Sequence, residues 1–483
     1  MGFKLHNITH IFALLCAINL LNYVDRGIIP GAPVQFQLFV QETYNVKPEN
    51  VSFYIGVLVS AFIASYSVFI CIFGYMSMTH RPFLLSAIGL FVWVLSIVLC
   101  GLAKPLNNFI VLLIGRLLSG IGESSFHATS PPFIDEFAPP EKRTLWLGIF
   151  YAGLSAGTAV GYSYGSVTAQ TIGWDIGFYI TAAIMFPMAW ACWKWIPAQY
   201  DMPMGHAPLK EQDIEDELLN THYQEPEHTR PTIFGEIFDI LRCPLFLTSS
   251  LGLASYSFTL AGMGAFAPAI LIGHGILSES VASTVFGALA VVAGLIGSPL
   301  GGWLVDRSCR GYDGDDAYRC KTAAFQMFIM MTSGLAFLFA SLIFIETKII
   351  FFICFGIGLL LMFSTQPATT IVIILSVTRA RRGFAMGLNT LLLHLFGDVP
   401  SPMILGALKD MWAPHCGSVV VDNSPKLDPK CSMDKAGLQK TLAFAYGWLA
   451  WACLLWGIAY LIARKREKEA RNARDTTPVV QIY

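Results

Sequence analysis

The chain alternates long apolar runs with short polar ones. Runs of spanning length fall at about 9–30, 51–76, 83–102, 106–130, 144–170 and 175–197. A second set falls at about 245–273, 280–305, 322–345, 349–376, 384–408 and 438–463. Twelve helices are expected, six on either side of a hydrophilic stretch, residues 198–243. That stretch holds Glu211, Asp213, Glu215, Asp216 and Glu217 in one acidic run and reads as a solvated linker. The expected division is a six-helix half over 1–197, the linker over 198–243, a second half over 244–463, and a basic tail over 464–483.

Composition agrees with this pattern. Of 483 residues, 55% are hydrophobic and only 13% charged, against about 25% charged in soluble domains. The expectation is an all-α, polytopic membrane protein. The first apolar run is too long for a cleavable leader and lacks a small-residue cleavage site, so it reads as the first span. Net charge of −1 and the lack of a basic face give no support to nucleic-acid binding. No paired nucleophile and base, phosphate loop, cofactor motif or metal-ligand spacing appears, so an enzyme is not expected. Basic residues gather at Lys142 and Arg143, from Arg307 to Lys321, at Arg379, Arg381 and Arg382, and from Arg464 to Arg474. These are alternate loops and the C-terminus, which places both termini in the cytoplasm.

Charge inside the spans carries the functional signal. The fourth run contains Gly115-Arg116, then Gly120-Ile121-Gly122-Glu123-Ser124-Ser125-Phe126-His127. Arg116 and Glu123 stand at i and i+7, about two turns apart on nearly one face, with His127 one turn further. A charge at membrane depth costs on the order of 3 kcal/mol or more, so such residues face a bundle interior or wet cavity and take partners. The first run holds Asn19, Asn22, Asp25 and Arg26. Asn19, Asn22 and Arg26 share a face, with Asp25 on its flank. Asp25 and Arg26 stand either at a wet membrane border or in a cavity near the fourth helix. Arg116 and Glu123 read either as a structural ion pair between helices or as a site where a proton is taken up. Burial favours a protonated Glu123 and a nearby arginine favours its carboxylate, so a partner that comes and goes would load and release a proton.

The two halves repeat faintly. Arg143-x4-Gly148 opens the fifth run, and Arg382-x4-Gly387 the eleventh. Gly74 ends the second; Gly301-Gly302-Trp303-Leu304-Val305-Asp306-Arg307 ends the eighth. Two related six-helix halves are the plan of a major facilitator transporter. In the fifth run, glycines 148, 153, 157, 161 and 165 predict a smooth face for close packing. The eleventh contains His394-Leu395-Phe396-Gly397-Asp398-Val399-Pro400-Ser401-Pro402, which predicts a broken helix with an inward carboxylate. Intramembrane charge is unequal: Asp25, Arg26, Arg116 and Glu123 in the first half, mainly His394 and Asp398 in the second. A cavity with one polar and one apolar wall fits an amphiphile better than a sugar. Cys416 and Cys431 share one loop on the oxidising side, where a disulfide is expected.

Asn22-Tyr23-Val24-Asp25-Arg26, the Gly115-Arg116 and Glu123 stretch, Phe150-Tyr151 with Gly157 and Gly161-Tyr162, and His394 to Pro402 together resemble the spinster family of the major facilitator superfamily. The resemblance spans all twelve runs. It implies alternating access, export or salvage of sphingolipids or lysophospholipids, and proton coupling as in several members. It makes Asp25 and the Arg116 and Glu123 pair central to transport. Read from the residues themselves, Asp25, Arg26, Arg116 and Glu123 are expected to line the site, with Asn22, His127, His394 and Asp398 as substrate-cavity candidates. The resemblance also gives Gly302, Asp306 and Arg307 a gating role. A monomer in the plasma, endosomal or lysosomal membrane is expected. In the first-half copy of the gating motif, Met78 stands where the family has aspartate, and Arg81 is displaced. Phe126 and His127 replace the small polar residues usual after the glutamate, which points to a different head group. The rival readings are a carrier of a small polar solute and a membrane lipid sensor without transport.

Overall fold

The computed structural model describes residues 5, 7–77, 80–139, 143–202, 233–312, 315–378, 381–421 and 424–476. Most of the linker, Met78 in the gating motif, and the basic residues Lys142 and Arg379 lie outside the described residues. Eleven of the helices formed by the described residues are long and apolar enough to cross a membrane. A further helix, Arg143–Thr171, has 29 residues and supplies the fifth span, rich in glycine and serine rather than leucine. The remaining first-half spans are Ile8–Gly31, Val51–Met76, Pro82–Leu102, Phe109–Phe137 and Trp174–Lys194. The second half has Pro244–Gly273, Glu279–Ser308, Asp316–Ile343, Lys348–Phe363 continued by Gln366–Ser376, Arg382–Leu393 continued by Pro400–Trp412, and Lys435–Thr476.

Local chemistry sets the ends. Asn7 accepts from Thr9 N, Asn108 from Ile110 N and Asp315 from Tyr318 N, so three span starts have side-chain caps. Pro82 and Pro244 sit at first helical positions, where a missing N–H costs nothing. The eleventh span is interrupted as the sequence predicts. Its break is a π turn, His394–Asp398, just before Pro400. Near Pro367 the tenth span also breaks, across Ser364 and Thr365. The twelfth span does not stop near residue 463. It runs to Thr476, because the basic stretch alternates lysine, arginine and glutamate, all good helix formers, and Lys321 pairs with Glu467 at 3.2 Å.

Large apolar side chains point out of the bundle, among them Leu95, Ile343, Ile349 and Leu461. Such a surface is stable against hydrocarbon. Elements not foreseen among the described residues include a short helix, Pro33–Tyr44, after the first span, and an antiparallel hairpin, Ser418–Val421 with Ser424–Leu427, after the eleventh. Cys416 and Cys431 form a disulfide beside that hairpin.

The halves meet most closely on the face opposite the chain termini. A Cβ on Gly56 would lie 2.2 Å from the Pro402 carbonyl oxygen, and one on Gly406 would lie 2.4 Å from that of Ser52, so second and eleventh spans touch backbone to backbone. Asp410 accepts from the amides of Ser52 at 3.0 Å and Phe53 at 2.8 Å. Buried Lys409 donates to Ser52 Oγ and to the Cys416 carbonyl, each at 2.9 Å. Gln35 to Glu279, Ser283 to the Gly31 carbonyl, and Ser60 to the Val399 carbonyl complete the closure.

Candidate functional site

Glycine brings the first, second and fourth spans within reach of one another. A Cβ on Gly120 would lie 2.3 Å from the Phe62 carbonyl oxygen, and one on Gly122 would lie 2.6 Å from that of Gly89. The fourth span is thus bedded on the second and third. The first span lies on the fifth at Gly27, Gly157, Gly161 and Gly165, the close packing that the glycine spacing predicts.

The ionic side chains of the first and fourth spans then pair crosswise. Arg116 Nη1 donates to Asp25 Oδ2 at 2.8 Å. Arg26 donates to Glu123 Oε1 through Nε at 2.9 Å and Nη2 at 2.6 Å. Arg116 and Glu123 share a face, but each finds its partner on the first span rather than in the other. Asp25 is fully buried, Arg26 is partly exposed, and the first span continues past both to Gly31.

Exposure ranks the two pairs. Asp25 and Arg116 side chains are 0% and 4% exposed, whereas Arg26 is 24% exposed beside a fully buried Glu123. Removing one partner of a fully buried pair costs about 3–5 kcal/mol. Arg26 already reaches solvent and can exchange carboxylate for water at lower cost. Its guanidinium carbon lies 4.6 Å from the Tyr23 ring centre and 4.9 Å from those of both Phe62 and Tyr66. These rings offer Arg26 a cation–π resting place of about 0.5–2 kcal/mol. Phe62 also faces Arg116, at 4.7 Å.

His127 extends the cluster one turn along. Its Nε2 lies 2.9 Å from Asn19 Oδ1, and its Nδ1 lies 3.5 Å from Glu123 Oε1. Asn22 is fully buried, and neither its amide nitrogen nor its oxygen has a hydrogen-bond partner in the protein. The same holds for Asp25 Oδ1, Arg116 Nε and Glu123 Oε2. A buried polar atom left unpaired costs about 1–3 kcal/mol, and several of them gather on these first- and fourth-span residues.

The second half contributes a smaller cluster. His394 Nδ1 lies 2.7 Å from Asp398 Oδ2, and Ser257 donates to Asp398 Oδ1. Tyr66 stands between the clusters, its ring centre 5.8 Å from the His127 ring and 5.8 Å from the His394 ring. Tyr66, Phe62 and Ser257 were not singled out from sequence. The available signal was Phe62 and Tyr66 at i and i+4, a spacing that serves ordinary packing just as often. Gly302, Asp306 and Arg307 lie elsewhere, at the end of the eighth span on the face of the termini. There Asp306 pairs loosely with Arg319 at 3.7 Å, and Arg307 stacks over Trp303. Arg81 pairs with Asp201 at 2.6 Å, and Asp201 also accepts from the Phe83 amide at 2.9 Å, so the displaced arginine has an acid from beyond the sixth span.

A cleft of about 170 Å³ opens between the halves. Leu154, Tyr162, Leu260, Phe286 and Phe363 give it apolar walls, with Ser155 and Thr158 on one side. Tyr162 joins it to the first span: its backbone packs on Gly27 and Gly31, and its hydroxyl donates to the Gly264 carbonyl at 2.5 Å.

The profile of the Major Facilitator Superfamily matches residues 15–398. A probable sphingolipid transporter, spinster homolog 2 of Arabidopsis thaliana, is 29% identical over 410 residues, covering 82% of this chain and 80% of the relative. The sphingosine-1-phosphate transporter SPNS2 of Mus musculus is 26% identical over 418 residues, covering 83% of this chain and 69% of that one. The crystal structure of a bacterial homolog to the human lysosomal transporter spinster, inward-facing and unoccupied, superimposes with a TM-score of 0.70 at 19% identity. It covers 95% of this chain and 98% of its own. The chain belongs to the major facilitator superfamily, and within it resembles the spinster transporters.

Proposed function

We propose that this protein carries a lysophospholipid or a sphingoid lipid across a membrane by alternating access, with a proton replacing Arg26 on Glu123 during the cycle. The observation that carries this reading is the presence of two unlike surfaces. The Arg26 guanidinium, ringed by Tyr23, Phe62 and Tyr66, offers a cation to a charged head, and the apolar cleft between the halves offers walls to a hydrocarbon tail. The spinster relatives, named for sphingolipid transport, support the same substrate class.

The mechanism follows from the ranking of the ion pairs. Asp25–Arg116 holds the first span to the fourth throughout. A phosphate or carboxylate head group competes for Arg26, whose guanidinium is partly wet. When Arg26 turns to that ligand, Glu123 is left buried without its cation and takes a proton rather than remain an isolated charge. Return of Arg26 expels the proton. With both termini in the cytoplasm, as the basic loops indicate, the face held by Asp410, Lys409 and the Gly56–Pro402 contact is the exterior or lumenal one. The carrier has no catalytic chemistry, works as a monomer, and resides in a plasma, endosomal or lysosomal membrane.

The test is flux of labelled lysophospholipid and sphingoid base into proteoliposomes, with and without a proton gradient. Gradient-driven flux is expected in the wild type and is abolished in Glu123→Gln, which keeps the shape but cannot exchange a proton. Unchanged gradient-driven flux in that variant removes Glu123 from coupling. No flux of either lipid by folded protein overturns the substrate assignment.

A further inference from the structure

His127 presents a bare nitrogen to Glu123, and its neighbours dictate which nitrogen that is. Asn19 donates through Nδ2 to the Phe150 carbonyl at 2.6 Å. Turning that amide over would set its oxygen against another oxygen, so Asn19 Oδ1 must face His127. An acceptor 2.9 Å from Nε2 requires the hydrogen on Nε2. In the neutral ring Nδ1 is then an unprotonated acceptor. It is buried, has no hydrogen-bond partner in the protein, and lies 3.5 Å from Glu123 Oε1. Two acceptors therefore face each other, held tolerable only because Arg26 neutralises the carboxylate. A proton is the one particle that turns this opposition into a hydrogen bond.

We propose that His127 is a positioning residue for the transported proton. Asn19 holds it in the Nε2–H form, and its bare Nδ1 receives the O–H of Glu123 once Arg26 withdraws. This rests on the reading of Glu123 as the exchange site. The proton arrives from water, forms the O–H bond of Glu123 and stays there; His127 accepts a hydrogen bond and remains neutral. A small torsion of the glutamate side chain closes the distance. The charged and titratable groups around the pair are Asp25, Arg26 and Tyr23 on the first span, Tyr66 on the second, Arg116 on the fourth and Tyr151 on the fifth, with His394 and Asp398 behind Tyr66. Of these, Arg26 is the group already bonded to Glu123, so its departure is the event that sets His127 to work.

Two substitutions and one spectrum test this. In His127→Leu the acceptor is lost, and the midpoint of gradient-driven lysolipid flux against pH is expected to fall by about one unit, the worth of one hydrogen bond. In His127→Gln, an amide can donate to Asn19 and accept from Glu123, so the wild-type midpoint is expected to return. If His127 carried the proton itself, Gln would behave like Leu, and that result overturns the proposal. So does an unchanged midpoint in His127→Leu. Nitrogen-15 spectra of histidine-labelled protein, with His127 identified by its loss in His127→Gln, are expected to show hydrogen on Nε2 alone at neutral pH. Hydrogen on Nδ1 overturns this assignment while leaving Glu123 in place. Wild-type flux indifferent to the gradient overturns the coupling and this role together.

Discussion

At the scale of single residues, four charges on two helices divide into a fully buried pair and a partly exposed one, the second proposed as the working pair. Asp25→Asn leaves Arg116 charged and buried, so a loss of about 3–5 kcal/mol is expected in unfolding of the detergent-solubilised protein. Arg26→Gln leaves Glu123 free to protonate and is expected to cost less, about 1 kcal/mol. Double-mutant cycles give the second check. Coupling of about 1–3 kcal/mol is expected for Asp25 with Arg116 and for Arg26 with Glu123, and much less for Arg116 with Glu123. Equal losses in the single variants would remove the ranking, and strong Arg116–Glu123 coupling would remove the crossed pairing. The four residues were visible in sequence because charge within an apolar run is rare. Their pairing was not visible, because it depends on the rotation of each helix about its axis. Neither was Tyr66, whose importance comes from standing between two histidines of different halves.

At the scale of elements, closure on the face opposite the termini rests on the second and eleventh spans. Asp410 puts a carboxylate on the first amides of the second span, where the helix dipole favours negative charge. Asp410→Asn keeps the shape and loses the charge. A shift of about ten- to a hundredfold toward the opposite-facing state is expected, from hydrogen bonds worth about 1.5–3 kcal/mol. Distances between spin labels on the second and eleventh spans read that shift, and an unchanged distribution would show that glycine packing alone closes the face. Glycine position makes a paired prediction. Gly56→Ala drives a methyl into the Pro402 carbonyl, whereas a Cβ on Gly74 meets nothing within 4 Å. The first is expected to block closure and transport, the second to leave both intact. Transport by Gly56→Ala at the wild-type rate would contradict the backbone contact.

At the scale of the whole molecule, the halves differ in kind. The first half holds the crossed ion pairs, and the second carries buried Lys409 and Asp410 at its contact with the second span, together with a stapled loop. The Cys416–Cys431 disulfide closes a loop with a sequence separation of 15, in a segment that also packs on the short helix after the first span, where Ser418 donates to Gln37 at 3.0 Å. Reduction is expected to lower stability by about 3 kcal/mol, the loop-entropy scale for that length, seen as a lower melting temperature in reductant. An unchanged melting temperature would mean that hydrogen bonds and packing hold the loop unaided.

The sequence by itself determined the class of protein, the number of spans, the rare intramembrane charges, the glycine face of the fifth helix and the break in the eleventh. Each of these is local: a window of hydropathy, a spacing or a proline is enough to specify it. The tertiary structure decided the rest: which arginine meets which carboxylate, which face is closed, and where an apolar cleft opens between the halves. These depend on residues from distant parts of the chain, Asp25 with Arg116 or Asp410 with Ser52, brought together by helix rotation and tilt. In a bilayer that geometry is set by glycine-mediated contact and the pairing of buried charge rather than by hydrophobic pattern, since lipid is as apolar as the helix faces it covers.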